Sequence, residues 1–195
     1  MILISTEQVP KAEQHSHAHS LLSRALKEFG IDYVSGVTPV IFGEHGKPSL
    51  AECPEVRFNI SHADGITAVA VSDFECGIDC ERVRAYDPRV MKRVCTEAEQ
   101  AAISSAPEDE RDMLFFRLWT LKEAYVKALG KGLSFPMREA AFMFEGDKIL
   151  TELSGAFMQY VINNAFAVAG CELSDRHGQH KTHCIKAANG ETIRI

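Results

Sequence analysis

The segment from about Glu108 to Leu129 reads as one long helix stopped by Gly130 and Gly132, and it has two buried sides. At roughly 100° per residue, Leu114, Leu118, Leu121, Tyr125 and Leu129 fall on one narrow stripe, a core-facing seam. Glu123 and Lys127 lie on the opposite side, flanked by Phe116, Trp119 and Thr120. A solvent face rarely carries the only Trp of a chain and a Phe beside an i,i+4 Glu–Lys pair. One side therefore faces a core and the other a cleft, into which a carboxylate and an ammonium project. Taken alone, the pair also fits a surface ion pair worth a few tenths of a kcal/mol.

The rest of the chain supplies strands for that helix to pack on. Ala12–Phe29 predicts a helix through Leu21, Leu22, Ala25, Leu26 and Phe29, with Gly30 as its C-cap. Thr38–Phe42 reads as a strand before the turn Gly43–Pro48. Val56, Phe58 and Ile60 alternate with Arg57, Asn59 and Ser61 as in a half-buried strand. Ile66–Val71 and Cys76–Glu81 follow as further strands. Beyond Glu81 the pattern turns helical: Asp87-Pro88 opens a short helix and Thr96-Glu97-Ala98-Glu99 forms a capping box. Ala140–Phe144, Tyr160–Asn163 and Phe166–Cys171 read as strands, with a hairpin turn at Glu145-Gly146-Asp147. Each half runs helix first and strands after. The expectation is an α+β chain of two closely packed lobes, 1–85 and 86–195, each a small antiparallel sheet on a long helix.

Composition bounds the partners. A net charge of -6 argues against a general nucleic-acid binder. The apolar runs, such as Ala68–Val71, are far too short to span a bilayer. Met1–Ile4 lacks a basic lead and reads as an opening strand, not a signal peptide. The six cysteines form no CxxC pair and read as reduced thiols. His15, His17 and His19, and likewise His177, His180 and His183, read as solvated surface histidines before metal ligands.

Chemistry concentrates at three places. On Gly77-Ile78-Asp79-Cys80-Glu81, strand alternation points Asp79 and Glu81 together while Ile78 and Cys80 face the core. Two neighbouring carboxylates repel unless a cation lies between them, and Mg²⁺ is the simplest candidate; two solvated carboxylates at a strand end are the alternative. Ser61 and His62 end a strand beside a tight turn, where they can grip phosphate or serve as structural hydrogen-bonding residues. Lys47 on the constrained Gly46-Lys47-Pro48 turn is either an anion contact or an exposed lysine.

In this order, Gly46-Lys47-Pro48, Phe58–His62, Gly77–Glu81, Trp119–Ala124 with Lys127, and Gly130–Leu133 closely resemble the 4′-phosphopantetheinyl transferase superfamily, in its longer single-chain, pseudo-dimeric class. The resemblance covers about residues 20–170. It implies two lobes related by a pseudo-two-fold and transfer of 4′-phosphopantetheine from coenzyme A to a serine of an acyl, polyketide or peptidyl carrier protein. Adenosine 3′,5′-bisphosphate would be released. It further implies that Asp79, Glu81 and Glu123 hold Mg²⁺ and that Lys127 contacts the transferred phosphate. Ser61 and His62 would meet the phosphates of coenzyme A, and Lys47 and Pro48 its nucleotide end. Glu123, directly or through a metal-bound water, would be the general base. The chain departs from the family in its short N-terminus and in having His19 where an arginine is usual, so His19 would share the 3′-phosphate with His62. A cytoplasmic monomer is expected. The competing functions are a non-catalytic module binding coenzyme A or carrier, and a metal-dependent phosphodiester hydrolase.

Overall fold

The computed structural model describes residues 1–173, 181–185, 187 and 190–195. β1 (Ile2–Ser5) is followed by α1 (Gln14–Lys27), the short hairpin β2 (Val40–Phe42) and β3 (Pro48–Leu50), then β4 (Arg57–Ala63), β5 (Ile66–Ser72) and β6 (Cys76–Arg82). Next come α2 (Pro88–Val94), α3 (Glu97–Ser105) and α4 (Arg111–Leu129). The chain then forms β7 (Met143–Glu145), β8 (Lys148–Leu150), β9 (Ala156–Ile162), β10 (Phe166–Glu172), β11 (Lys181–Ile185) and β12 (Thr192–Arg194).

Two sheets lie face to face between two helices. The first has the order β12-β1-β5-β4, and the second β6-β10-β9-β11-β8-β7. Leu21, Leu22, Ala25 and Leu26 of α1 bury against Leu3, Phe58, Val69 and Val71 of the first sheet. The other face of that sheet sends Ile2, Ile4, Ala68 and Ala70 against Ile78, Cys80, Tyr160 and Val168 of the second. The far side of the second sheet, through Phe157, Ala167 and Ala169, receives α4. Alternate strand residues thus serve different layers, because the side-chain period of a strand is two.

Most predicted elements lie where the periodicity puts them. Thr96 and Glu99 form a reciprocal capping box on α3, Asp87 caps α2, and Gly130 ends α4 at φ 65. Three findings differ from expectation. Strand β7 begins only at Met143, because residues 137–139 form a 3-10 turn and Lys122 holds the carbonyls of Met137 and Ala140. Strands β11 and β12 have no counterpart among the predicted elements. The two halves also interlock: β6 pairs with β10 from after the expected junction near 85, and β12 returns to β1.

No helix among the described residues is long and apolar enough to cross a membrane. Cys53, Cys76, Cys80, Cys95 and Cys171 are free thiols. His177 and His180 lie outside the described residues, while the exposed His183 stacks on Tyr160 at 5.6 Å.

Candidate active site

Strand β6 is an edge strand of its sheet, so its outward backbone groups need partners. Asn59 and Ser61, two apart on β4 and therefore on one face, supply them. Asn59 Oδ1 accepts the Ile78 N–H at 2.9 Å, and Ser61 Oγ accepts the Cys80 N–H at 3.3 Å. The lysine of α4 completes this edge: Lys127 Nζ donates to the Ile78 carbonyl at 3.1 Å. The alternating Phe58–His62 segment is thus a device that stitches one sheet to the edge of the other.

The register of α4 against β6 comes from Gly77. A Cβ there would sit 2.0 Å from the Ala124 carbonyl oxygen and 2.5 Å from the Ala128 nitrogen. Only glycine permits this backbone-to-backbone approach, which brings Glu123 and Lys127 level with Asp79. The charge pair on α4 is accordingly not a surface pair. Lys127 Nζ lies 2.6 Å from Asp79 Oδ1, across the gap between helix and strand.

Asp79 is 5% exposed. Its Oδ1 accepts from Ser61 Oγ at 2.9 Å and from Lys127, whereas Oδ2 is a buried oxygen with no hydrogen-bond partner among the described residues. Burial pushes the Asp79 carboxyl up from its ordinary value, opposed by Lys127 and Ser61. Glu123, half-buried, is raised for the same first reason, with the Asp79 charge adding to the rise and Lys127 opposing it. Glu81 shares this face of β6, but its carboxylate pairs with Arg84 at 3.0 Å, and Arg84 in turn lies over the Phe116 ring. No closed group of three metal-ligating His, Cys, Asp or Glu side chains occurs among the described residues. Asp79 Oδ2 is unpartnered, and Glu81 and Glu123 lie near enough for their charges to act on the Asp79 carboxyl or on one another, oxygen donors of the kind a hard cation takes.

The other candidates are placed as follows. Ser61 faces Asp79, but His62, one residue on, is exposed on the opposite face of β4, so the structure does not bring the two together. Lys47 Nζ is engaged by Glu75 Oε2 and by the Ala128 carbonyl, both at 2.6 Å, and so fastens the β2–β3 hairpin to the end of α4. Pro48 opens β3 in that hairpin. Half-buried His19 bonds Tyr33 Oη through Nδ1 at 2.6 Å and lies against His15, with ring centroids 4.3 Å apart. Burial, and then His15, lower its pKa.

Sequence reasoning missed Asn59, Gly77 and, above all, Lys122. The Lys122 side chain is 0% exposed and bonds Glu99, 1% exposed, at 2.9 Å. Glu99 also accepts from the backbone of Thr96 and Phe142, so this buried pair is fully hydrogen-bonded and ties α4 to α3 and the strand entry. A lysine beside the apolar seam, paired with a Glu already expected at a capping position, was the available signal.

A family model described as 4′-phosphopantetheinyl transferase superfamily matches residues 75–171. The chain is similar to a 4′-phosphopantetheinyl transferase of Bacillus subtilis, 30% identical over 159 residues, covering 75% of this chain and 69% of the relative. It is 34% identical over 94 residues to the 4′-phosphopantetheinyl transferase Sfp of Bacillus subtilis (strain 168), covering 48% of this chain and 42% of that one. For the 4′-phosphopantetheinyl transferase AcpT of Escherichia coli (strain K12), identity is 32% over 126 residues, 63% of this chain and 60% of the relative. A solved structure, the Thermotoga maritima holo-[acyl-carrier-protein] synthase, overlaps 53% of this chain and 64% of its own, with TM-score 0.44 and 23% identity.

Proposed function

We propose that this chain, which belongs to the 4′-phosphopantetheinyl transferase superfamily, moves the 4′-phosphopantetheine group from coenzyme A to a serine of a carrier protein. The observation that carries the reading is the Asp79 carboxylate, buried with one oxygen satisfied and the other unpartnered, level with Glu123 on the facing helix. Lys127 already pairs with Oδ1, and the buried Oδ2 remains costly until a further donor or cation meets it.

Asp79, Glu81 and Glu123 are the residues that would hold Mg²⁺. The ion would neutralise pyrophosphate charge, the main requirement of phosphoryl transfer besides positioning. Glu123 takes the proton of the carrier serine. In the metal-free protein its carboxyl is raised from the ordinary value, by burial first and then by the Asp79 charge. The serine oxygen bonds to the phosphorus that bears the pantetheine, and the bond from that phosphorus to the bridging oxygen breaks. Adenosine 3′,5′-bisphosphate leaves with the electron pair.

Carrier proteins of this kind are acidic, whereas this chain has net charge -6, so attraction must be local. Lys92 and Arg93 are exposed on α2, just after the carboxylate strand. Arg89, beside them, is already paired with Asp87 at 2.8 Å. Met91 and Val94 of the same helix are buried in the core, and Val83 and Val90 pack on it, so these apolar residues are not free to anchor a partner. The docking surface is therefore a basic face without those anchors. The reading extends to a monomer in the cytoplasm, where the free thiols would stay reduced. A fluorophore-bearing coenzyme A tests the function: label should enter an apo carrier, and no label should enter the same carrier with its acceptor serine replaced by alanine.

A further inference from the structure

The three alternating histidines at the start of α1 divide between two faces. His17 turns to β1, where Nε2 bonds Ser5 Oγ at 3.1 Å and Nδ1 lies 3.8 Å from Glu7 Oε2. His15 and His19 are four residues apart and share one face of the helix. Their rings meet there, with centroids 4.3 Å apart. His15 is exposed and His19 half-buried. The His19 ring is held in place: its Nδ1 bonds Tyr33 Oη at 2.6 Å, and the buried Tyr33 ring stacks on it at 5.8 Å. The tautomer that donates Nδ1–H to the phenol oxygen carries its lone pair on Nε2, the other ring nitrogen.

We infer that His15 and His19 form a second cation site on this chain, for a borderline ion such as Ni²⁺, Cu²⁺ or Zn²⁺, with Tyr33 as the residue that positions the His19 ring. A ligating histidine is characteristically anchored through its second nitrogen, as His19 is. Two nitrogens each about 2.1 Å from one ion, at a right angle, are roughly 3 Å apart, a spacing that rotation of the exposed His15 ring can reach. Burial, and then His15, lower the His19 pKa, which keeps that ring a neutral ligand near pH 7. The pair sits on α1, across the first sheet from the strand that carries Asp79, and its nitrogen donors suit a different class of ion from the carboxylates there. The inference therefore does not rest on the proposed transfer reaction. An ion bridging residues one turn apart would pin the start of a helix whose N-cap residue, Glu13, makes no side-chain cap bond.

The test is Ni²⁺ titration calorimetry on the untagged full chain in excess Mg²⁺, which competes for carboxylate oxygens and hardly for imidazole. His15→Ala and His19→Ala should each weaken Ni²⁺ binding by about tenfold or more, and Tyr33→Phe by about tenfold, the loss of an outer partner of a ligating histidine. His17→Gln should leave it unchanged. Ni²⁺ should also raise the Tm of the wild type and not that of His15→Ala. His15 is exposed, so its variant decides even if His19→Ala or Tyr33→Phe does not fold. Wild type that binds no Ni²⁺ would overturn the inference. So would Ni²⁺ binding that His15→Ala leaves unaltered, which would mark an adventitious ion on other histidines. Unaltered affinity in folded Tyr33→Phe would overturn the positioning role of Tyr33.

Discussion

Gly77→Ala is the most direct test of how the helix delivers its charges. The added Cβ would sit 2.0 Å from the Ala124 carbonyl oxygen and 2.5 Å from the Ala128 nitrogen, both backbone atoms that cannot rotate away. Ordinary contact starts at 3.4 Å, so helix and strand must separate by about 1.4 Å at this point. That movement has two consequences of different size. Overpacking of this kind costs about 1–3 kcal/mol, which for a chain of this length lowers Tm by roughly 3–10 °C. The same displacement pulls Lys127 from its 2.6 Å contact with Asp79 and moves Glu123 from its place. A misplacement of about 1 Å in a positioned group costs on the order of 100-fold in rate. Carrier modification by purified Gly77→Ala protein, followed by intact mass, should therefore fall far more than the modest Tm change implies. A variant with both near-normal Tm and near-normal turnover would show that the close approach does not set the site.

Four further outcomes follow from the same geometry. Lys122→Met strands Glu99 in the core and should cost about 3–5 kcal/mol in urea denaturation; adding Glu99→Gln should recover much of it, and no recovery would mean that the pair is not coupled. In metal-free protein, Glu123 is held above its ordinary value of 4.5, so its protonated form is favoured by folding and stability is lost as pH rises through that value toward the raised one. The stability advantage of Glu123→Gln over wild type should grow with pH above about 4.5; parallel pH profiles would contradict it. Asp79→Asn keeps the shape of the side chain but not its charge, and should lose transfer at saturating Mg²⁺ with little change in the circular dichroism spectrum. Lys92→Glu with Arg93→Glu should raise the carrier KM several-fold, less so at high salt, and leave the coenzyme A KM alone; a raised coenzyme A KM would assign the patch to the nucleotide phosphates.

Legibility in the sequence followed the periodicity of each segment. Helix α4, the β4–β5 hairpin and the capping box of α3 were readable because their apolar spacing or cap chemistry is local. Asp79 and Glu81 could be placed on one face of β6 for the same reason. What escaped depends on contacts between distant segments. Gly77 reads as a weak strand residue until α4 lies against it. Ser61 and His62 look like one motif in sequence, yet alternate faces separate them. Lys47 looks like a free turn lysine until Glu75 and the end of α4 close on it. Strands β11 and β12 are extra partners for sheets already formed, and their polar sequences carry little period-two signal. The Lys122–Glu99 pair was hidden because both residues have an ordinary local explanation, one as part of a charged helix and one as a cap.

The central claim is that the Asp79–Glu123–Lys127 cluster serves transfer to a carrier serine. Intact mass of an apo carrier incubated with this protein, coenzyme A and Mg²⁺ tests it most directly. The account predicts a gain of about 340 Da on the carrier, the mass of the phosphopantetheine group, with one adenosine 3′,5′-bisphosphate released per carrier and none when the carrier is omitted. An unchanged carrier mass across several unrelated carriers, or steady cleavage of coenzyme A without any carrier, would contradict it.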